Sequence, residues 1–111
     1  MRSLFDQIQG EIKKLDISVR SLRKTGTEFA QAERDYKIIL REEALRLRDG
    51  GEAVGMIDKT VYGVQRVADA RFKRDVAEAV YKANMEAINS TKLYIKVLMN
   101  QYDKEWGNTS E

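Results

Sequence analysis

From Ile8 onward, one set of positions recurs at alternating spacings of four and three: Ile8, Ile12, Leu15, Val19, Leu22, Gly26, Phe29, Glu33, Tyr36, Leu40, Glu43 and Leu47. A mean step of 3.5 residues is the period of a helix that winds against another helix. The spacing predicts a helix over residues 3–48, and the stripe itself, about forty residues, is roughly 60 Å long at about 1.5 Å per residue. Only a returning second half of the chain could cover a stripe of that length. Gly26, Glu33 and Glu43 are its weak positions. Gly26 stands between Thr25 and Thr27, so "KTGTE" reads either as a kink or as a helix end followed by a Thr27 cap.

A second stripe predicts a helix over residues 64–106. It comprises Val64, Ala68, Phe72, Val76, Ala79, Ala83, Ala87, Ser90, Tyr94, Val97 and Leu98, and Val80, Ile88, Ile95 and Tyr102 widen it. Its centre is small, which permits close approach of another helix. Gly107 reads as the stop, and residues 108–111 as a fraying tail. Two helices that each bury one stripe make a thin core, and the second stripe is wider than one partner needs. The expected class is therefore all-α: a long antiparallel, coiled-coil-like helical hairpin with a short helical elbow. Residues 1–107 form one domain, which assembles into a helix-bundle homo-oligomer, a dimer or tetramer.

The elbow, residues 49–63, lies within "RDGGEAVGMIDKTVYG", which holds four of the chain's seven glycines. Gly50 or Gly51 is expected in the left-handed cap of the first helix. Val54, Ile57 and Val61 are expected to face inward on one or two short helical turns, and Gly63 is a second stop. The connection is longer than a reversal requires, a common property of functional loops.

Composition narrows the chemistry. Of 111 residues, 34% are charged with a net charge of only +2, which suits long helices with solvated faces. No apolar run approaches the roughly 18 residues that span a bilayer, so a soluble intracellular protein with no membrane partner is expected. Cysteine and histidine are both absent, which excludes disulfides, Cys/His zinc sites and His-dependent nucleophiles. A carboxylate-only Mg²⁺ site stays open in principle, but no metal, cofactor or catalytic set is expected. Proline is absent too, so nothing forces a helix to break.

Positive charge gathers around the elbow. Between Lys59 and Arg74 stand five basic residues, Lys59, Arg66, Arg71, Lys73 and Arg74, against one acid, Asp69. Arg41, Arg46 and Arg48 precede them, and Tyr62 lies among them. Guanidinium groups near glycine-rich backbone suit phosphate, Tyr62 suits stacking on a base, and Asp58 or Asp69 suits ribose hydroxyls. The candidate ligand set is Arg48, Lys59, Tyr62, Arg66, Arg71 and Arg74. The plainer alternative is a solvated face laced with i,i+4 ion pairs. A second basic run, Lys13, Lys14, Arg20, Arg23 and Lys24, has only Asp16 opposing it and carries the same two readings. Glu33 and Glu43 are expected to pair with Arg71, Arg74 or Lys82. One of Asn84, Asn89, Asn100 and Gln101 is expected to fix register from the seam, and Trp106 to anchor near Leu4 and Phe5.

The segments "AERDYKIILREEALRLRDGG", "VYGVQRVADARFKRDVAEAVYKAN" and "LMNQYDKEWG" resemble a family of small phage and prophage proteins of low-GC bacteria, found among early genes for DNA metabolism and host takeover. The resemblance covers residues 27–107, and its matching polar positions are Glu33, Tyr36, Arg48, Gly63, Arg71, Asp75 and Trp106. It implies a viral protein acting in the bacterial cytoplasm. In size, expected oligomerisation and local charge the chain is similar to phage sponges, which trap nucleotide immune signals in basic aromatic pockets. The favoured expectation is a non-enzymatic homo-oligomer that sequesters a phosphorylated nucleotide. Two alternatives stand beside it: an accessory of phage replication or recombination that binds DNA or a replication protein, and a protein-interaction inhibitor.

Overall fold

The computed structural model describes residues 3–107, which form helices α1 (Leu4–Asp49), α2 (Val54–Thr60) and α3 (Gln65–Gly107), with a single 3₁₀ turn, Val61–Gly63, before α3. The described residues contain no strand. The all-α class and the three segments agree with the hydrophobic spacing. The tail at residues 108–111 lies outside the described residues.

Ser3 starts α1: its hydroxyl oxygen accepts the Asp6 N–H at 3.1 Å and its carbonyl accepts the Gln7 N–H. The Asp6 carboxylate complements the helix dipole in the first turn, and Arg46 and Arg48 do so in the last. Gly26 does not end the helix, since α1 is helical from Leu4 to Asp49. A Cβ at Gly26 would sit 3.2 Å from Tyr81 Cε1, so glycine here admits an aromatic ring against the α1 backbone. Gly26→Ala gains about 1 kcal/mol of helix propensity and asks Tyr81 to give slightly, so little net change is expected. Gly26→Leu overpacks the contact and should cost about 1–3 kcal/mol. Urea titrations of the two variants check the difference.

Contacts divide the chain into two compact units, Thr25–Tyr81 and the residues on either side of it, up to Lys24 and from Lys82. In Thr25–Tyr81, contacts pair Phe29 with Tyr81, Glu33 and Tyr36 with Arg74, and Glu42 and Glu43 with Arg66. Numbers rising on α1 meet numbers falling on α3, so the helices of this unit run antiparallel. Tyr36, Val61 and Val67 form its core, with Ile39, Leu40, Ala44, Leu47, Val64 and Ala70 packed around them. In the other unit Ile8 and Leu98 are buried, and Asn84 Nδ2 donates to the Ser18 carbonyl at 2.9 Å. Asn84 is therefore the polar residue that enters the seam, whereas Asn89, Asn100 and Gln101 are exposed.

The seam of α1 follows the expected stripe with two corrections: Ile12 and Val19 are exposed, and Glu11 and Ser18 turn inward instead. The stripe expected on α3 is largely wrong. Ala68, Phe72, Val76, Ala79, Ala83, Ala87, Ser90, Tyr94 and Val97 are all exposed. The central inward positions are Val67, Ala70, Arg74, Ala77 and Tyr81 in one unit, and Asn84, Ile88, Thr91, Ile95, Leu98 and Tyr102 in the other, with Glu78 and Met85 half-buried beside them. The central positions keep a strict three-four alternation along α3, but Arg74, Asn84 and Thr91 are polar. Apolar pattern alone therefore selects the opposite face.

The elbow turns the chain in three steps. Gly51 adopts φ +93°, its N–H donates to the Arg48 carbonyl at 3.1 Å, and the Glu52 N–H donates to Leu47 at 3.0 Å. This is the paired-bond Schellman ending that satisfies the last carbonyls of α1. Ala53 then extends the backbone (φ −61°, ψ 134°) before α2, and Val64 does so (φ −66°, ψ 129°) before α3. Ile57 and Val61 face inward as expected, but Val54 is 78% exposed, because it opens α2 on the solvent side. Gly51→Ala should cost about 1–2 kcal/mol through the left-handed backbone, whereas Gly63→Ala, where φ is not positive, should be neutral or slightly stabilising. Thermal unfolding followed by circular dichroism checks the pair.

Candidate functional site

The six candidate residues lie at the elbow end of Thr25–Tyr81, on four different elements: Arg48 in the last turn of α1, Lys59 in that of α2, Tyr62 on the 3₁₀ turn, and Arg66, Arg71 and Arg74 on α3. They do not converge. Arg66 and Arg71 are five residues apart, which separates them by about 140° around a helix of 3.6 residues per turn.

Two of the arginines are committed to carboxylates. Arg66 Nη1 lies 2.8 Å from Glu42 Oε2 and 3.7 Å from Glu43 Oε1. Arg74 Nε donates to Asp75 Oδ1 at 2.9 Å, Nη1 lies 3.6 Å from Glu33 Oε2, and the guanidinium sits 4.7 Å from the Tyr36 ring centroid. The hydrogen bond to Asp75, aided by the charges of Asp75 and Glu33 and opposed by partial burial, holds Arg74 protonated even more firmly than an ordinary arginine. This cation stacks on an aromatic face within the seam and orders the core. Glu33 thus finds the expected Arg74. Glu43, only 5% exposed, pairs instead with Arg46 at 2.5 Å and with Arg66.

Arg71 lies 5.9 Å over the Tyr62 ring, and both side chains are exposed. This is the one candidate pair that the fold brings together as a cation and an aromatic face. Arg48 and Lys59 are exposed and form no ion pair among the described residues. Asp69, a candidate for ribose, accepts a hydrogen bond from Gln65 at 2.7 Å. In the second basic run, Lys14 pairs with the half-buried Glu11 at the edge of the seam, and Arg20 pairs with Asp16 on exposed surface. Trp106 is 61% exposed, and its ring lies 5.9 Å from that of Tyr102 on the same helix. No three acidic side chains gather as a metal set among the described residues, and no helix is long and apolar enough to cross a membrane.

The concave surface of this unit lies elsewhere. Two adjoining grooves, about 380 and 500 Å³, run between α1 and α3 and share Ala32, Asp35 and Lys73. Arg66 is the only one of the six candidates that lines either groove. The floor is small and apolar, with Ala32, Ala70 and Ala77, and Ile38, Val76 and Val80 form its walls. The charge pattern drew attention to the elbow. The signal for the groove was the alanines at seam positions, which leave two helices without side chains to fill the space above them.

No protein-family model, curated protein or solved structure matches this chain.

Proposed function

We propose that this chain is a non-catalytic interaction protein that works as a homo-oligomer, packing the outward apolar residues of α3 against another helix. The observation that carries this reading is the exposure of Phe72, Val76 and Val80, at 71%, 47% and 47%. They recur every four residues, so they line one stripe of the helix. The other unit separately leaves Leu93 and Val97 at 66% and 59% exposure. Apolar side chains aligned on one helix face mark interaction surfaces in soluble proteins. In the phage setting that the sequence resemblance implies, such a module acts by occupying a host or replication protein, or as the scaffold of a trap. Size-exclusion chromatography with light scattering across a concentration series tests the reading. A multimer whose mass falls on dilution is the expected result, and a monomer at every concentration would overturn it.

The Tyr62–Arg71 pair favours a second reading, capture of a phosphorylated nucleotide at the elbow. Tyr62 would stack on the base and Arg71, held over its ring, would take the phosphate. A ligand present at 100 times its Kd adds about 2.7 kcal/mol of stability, which raises the melting temperature by several degrees. Thermal shift against a nucleotide panel should show that rise for the intact chain and lose it in Arg71→Ala. No shift with any nucleotide would exclude this reading. A steep loss of binding with salt would instead point to nucleic acid.

A further inference from the structure

The groove between α1 and α3 in Thr25–Tyr81 and the exposed apolar stripe of α3 lie side by side. Val76 and Val80 belong to both, as walls of the groove and members of the stripe. We propose that the occupant of this groove is α3 of a second copy of the chain, seated antiparallel about a two-fold axis. The proposal rests on the self-association reading above and names its interface.

Three features select a second copy. First, the patch contains both a projection and a recess. Phe72 stands out at 71% exposure, one turn from Val76, while Ala32, Ala70 and Ala77 leave the recess floor low. A surface that carries both halves of a contact is what a two-fold interface requires, because the same patch must face itself. Secondly, the charges are self-complementary. Lys73 lies on the groove with Asp35 and Asp69, yet it forms no salt bridge in its own chain among the described residues. Asp69 and Lys73 are one turn apart on the same flank of α3. A two-fold axis passing between them therefore sets Lys73 of each copy opposite the other copy's Asp69, forming two ion pairs at the rim. Thirdly, the same axis sets Phe72 of each copy level with the other copy's Ala70, over the low floor of the recess and toward Ile38 of its α1, which is 44% exposed. The result is a four-helix arrangement with the two α3 helices in contact at its centre, the kind of packing that completes a core too thin in one hairpin.

The test uses the full chain and three variants, all at exposed positions: Phe72→Ala, Lys73→Glu and Asp69→Lys. Sedimentation equilibrium reads the dimer constant, and circular dichroism reports the helix content. Each variant should weaken self-association by about tenfold or more, because each removes the projection or sets like charges face to face. Mixing Lys73→Glu with Asp69→Lys should restore association between the two unlike chains, since each contact then again joins opposite charges. That rescue also shows that both variants are folded. If the parent chain self-associates but all three variants match it, or if the mixture is no tighter than its components, the groove is not the seat, although self-association itself stands. A parent chain that stays monomeric at every concentration overturns both this interface and the reading beneath it.

Discussion

Tyr36→Ala is expected to lose about 3–5 kcal/mol of stability, the usual range for removing a buried aromatic ring. Tyr36 is 7% exposed and forms the core of Thr25–Tyr81 with Val61 and Val67, the latter completely buried. Its ring also carries the Arg74 guanidinium at 4.7 Å. Truncation thus opens a cavity and leaves a seam arginine without its aromatic face. A domain of this size has about 5–15 kcal/mol in total, so the variant should be largely unfolded at moderate urea. Tyr36→Phe keeps the ring and should cost about 1 kcal/mol or less. Urea titration followed at 222 nm distinguishes the two, and equal losses for both would show that the hydroxyl, not the ring, matters.

The second large effect concerns Glu43. Removing both of its partners in Arg46→Ala/Arg66→Ala leaves a carboxylate buried without compensation, for which a loss of about 3–5 kcal/mol is expected. Adding Glu43→Leu to that pair should recover most of the loss, because a well-packed apolar side chain replaces a stranded charge. In the parent background Glu43→Leu should be near neutral or stabilising, since the desolvation of a buried ion pair offsets much of its attraction. The three-variant cycle, measured by the same titration, assigns the cost to the stranded acid. A double variant as stable as the parent would mean that Glu43 is solvated, contrary to its 5% exposure. In the single Glu43→Leu variant Arg66 retains Glu42 at 2.8 Å, so that variant removes the buried acid without leaving the arginine unpaired.

Much of the hairpin could be read directly from the chain. The heptad positions Ile8, Leu15, Leu22, Phe29, Tyr36 and Glu43 all lie on the inward side of α1, because on that helix one face is clearly more apolar than the other. The glycine pair at the elbow announced a left-handed cap, and Gly51 supplies it. Gly26 was ambiguous for a definable reason: a glycine within a helix pattern signals a break or a close neighbour equally, and only the Tyr81 ring at 3.2 Å decides between them. The candidate ligand set was less legible. Charge along a sequence counts arginines but does not show their direction. Arg66 and Arg74 point to Glu42, Glu43 and Glu33 on α1, residues more than twenty positions away. Arg71 alone meets the tyrosine that was expected beside it.

The all-α class, the bounds of the long helices and the inward side of α1 could all be read from the chain alone. These properties depend on local spacing, capping and backbone freedom, which act within a few residues. The inward face of α3 was decided only by the tertiary structure. Both sides of that helix carry apolar residues, and the side that wins includes Arg74 and Asn84, because Tyr36 and Glu33 accept the first and the Ser18 carbonyl accepts the second. A polar side chain becomes a seam residue when its partner waits across the interface, and that partner is fixed by packing between distant segments. The same choice turned Phe72, Val76 and Val80 toward solvent, and so made the surface on which the proposed assembly rests.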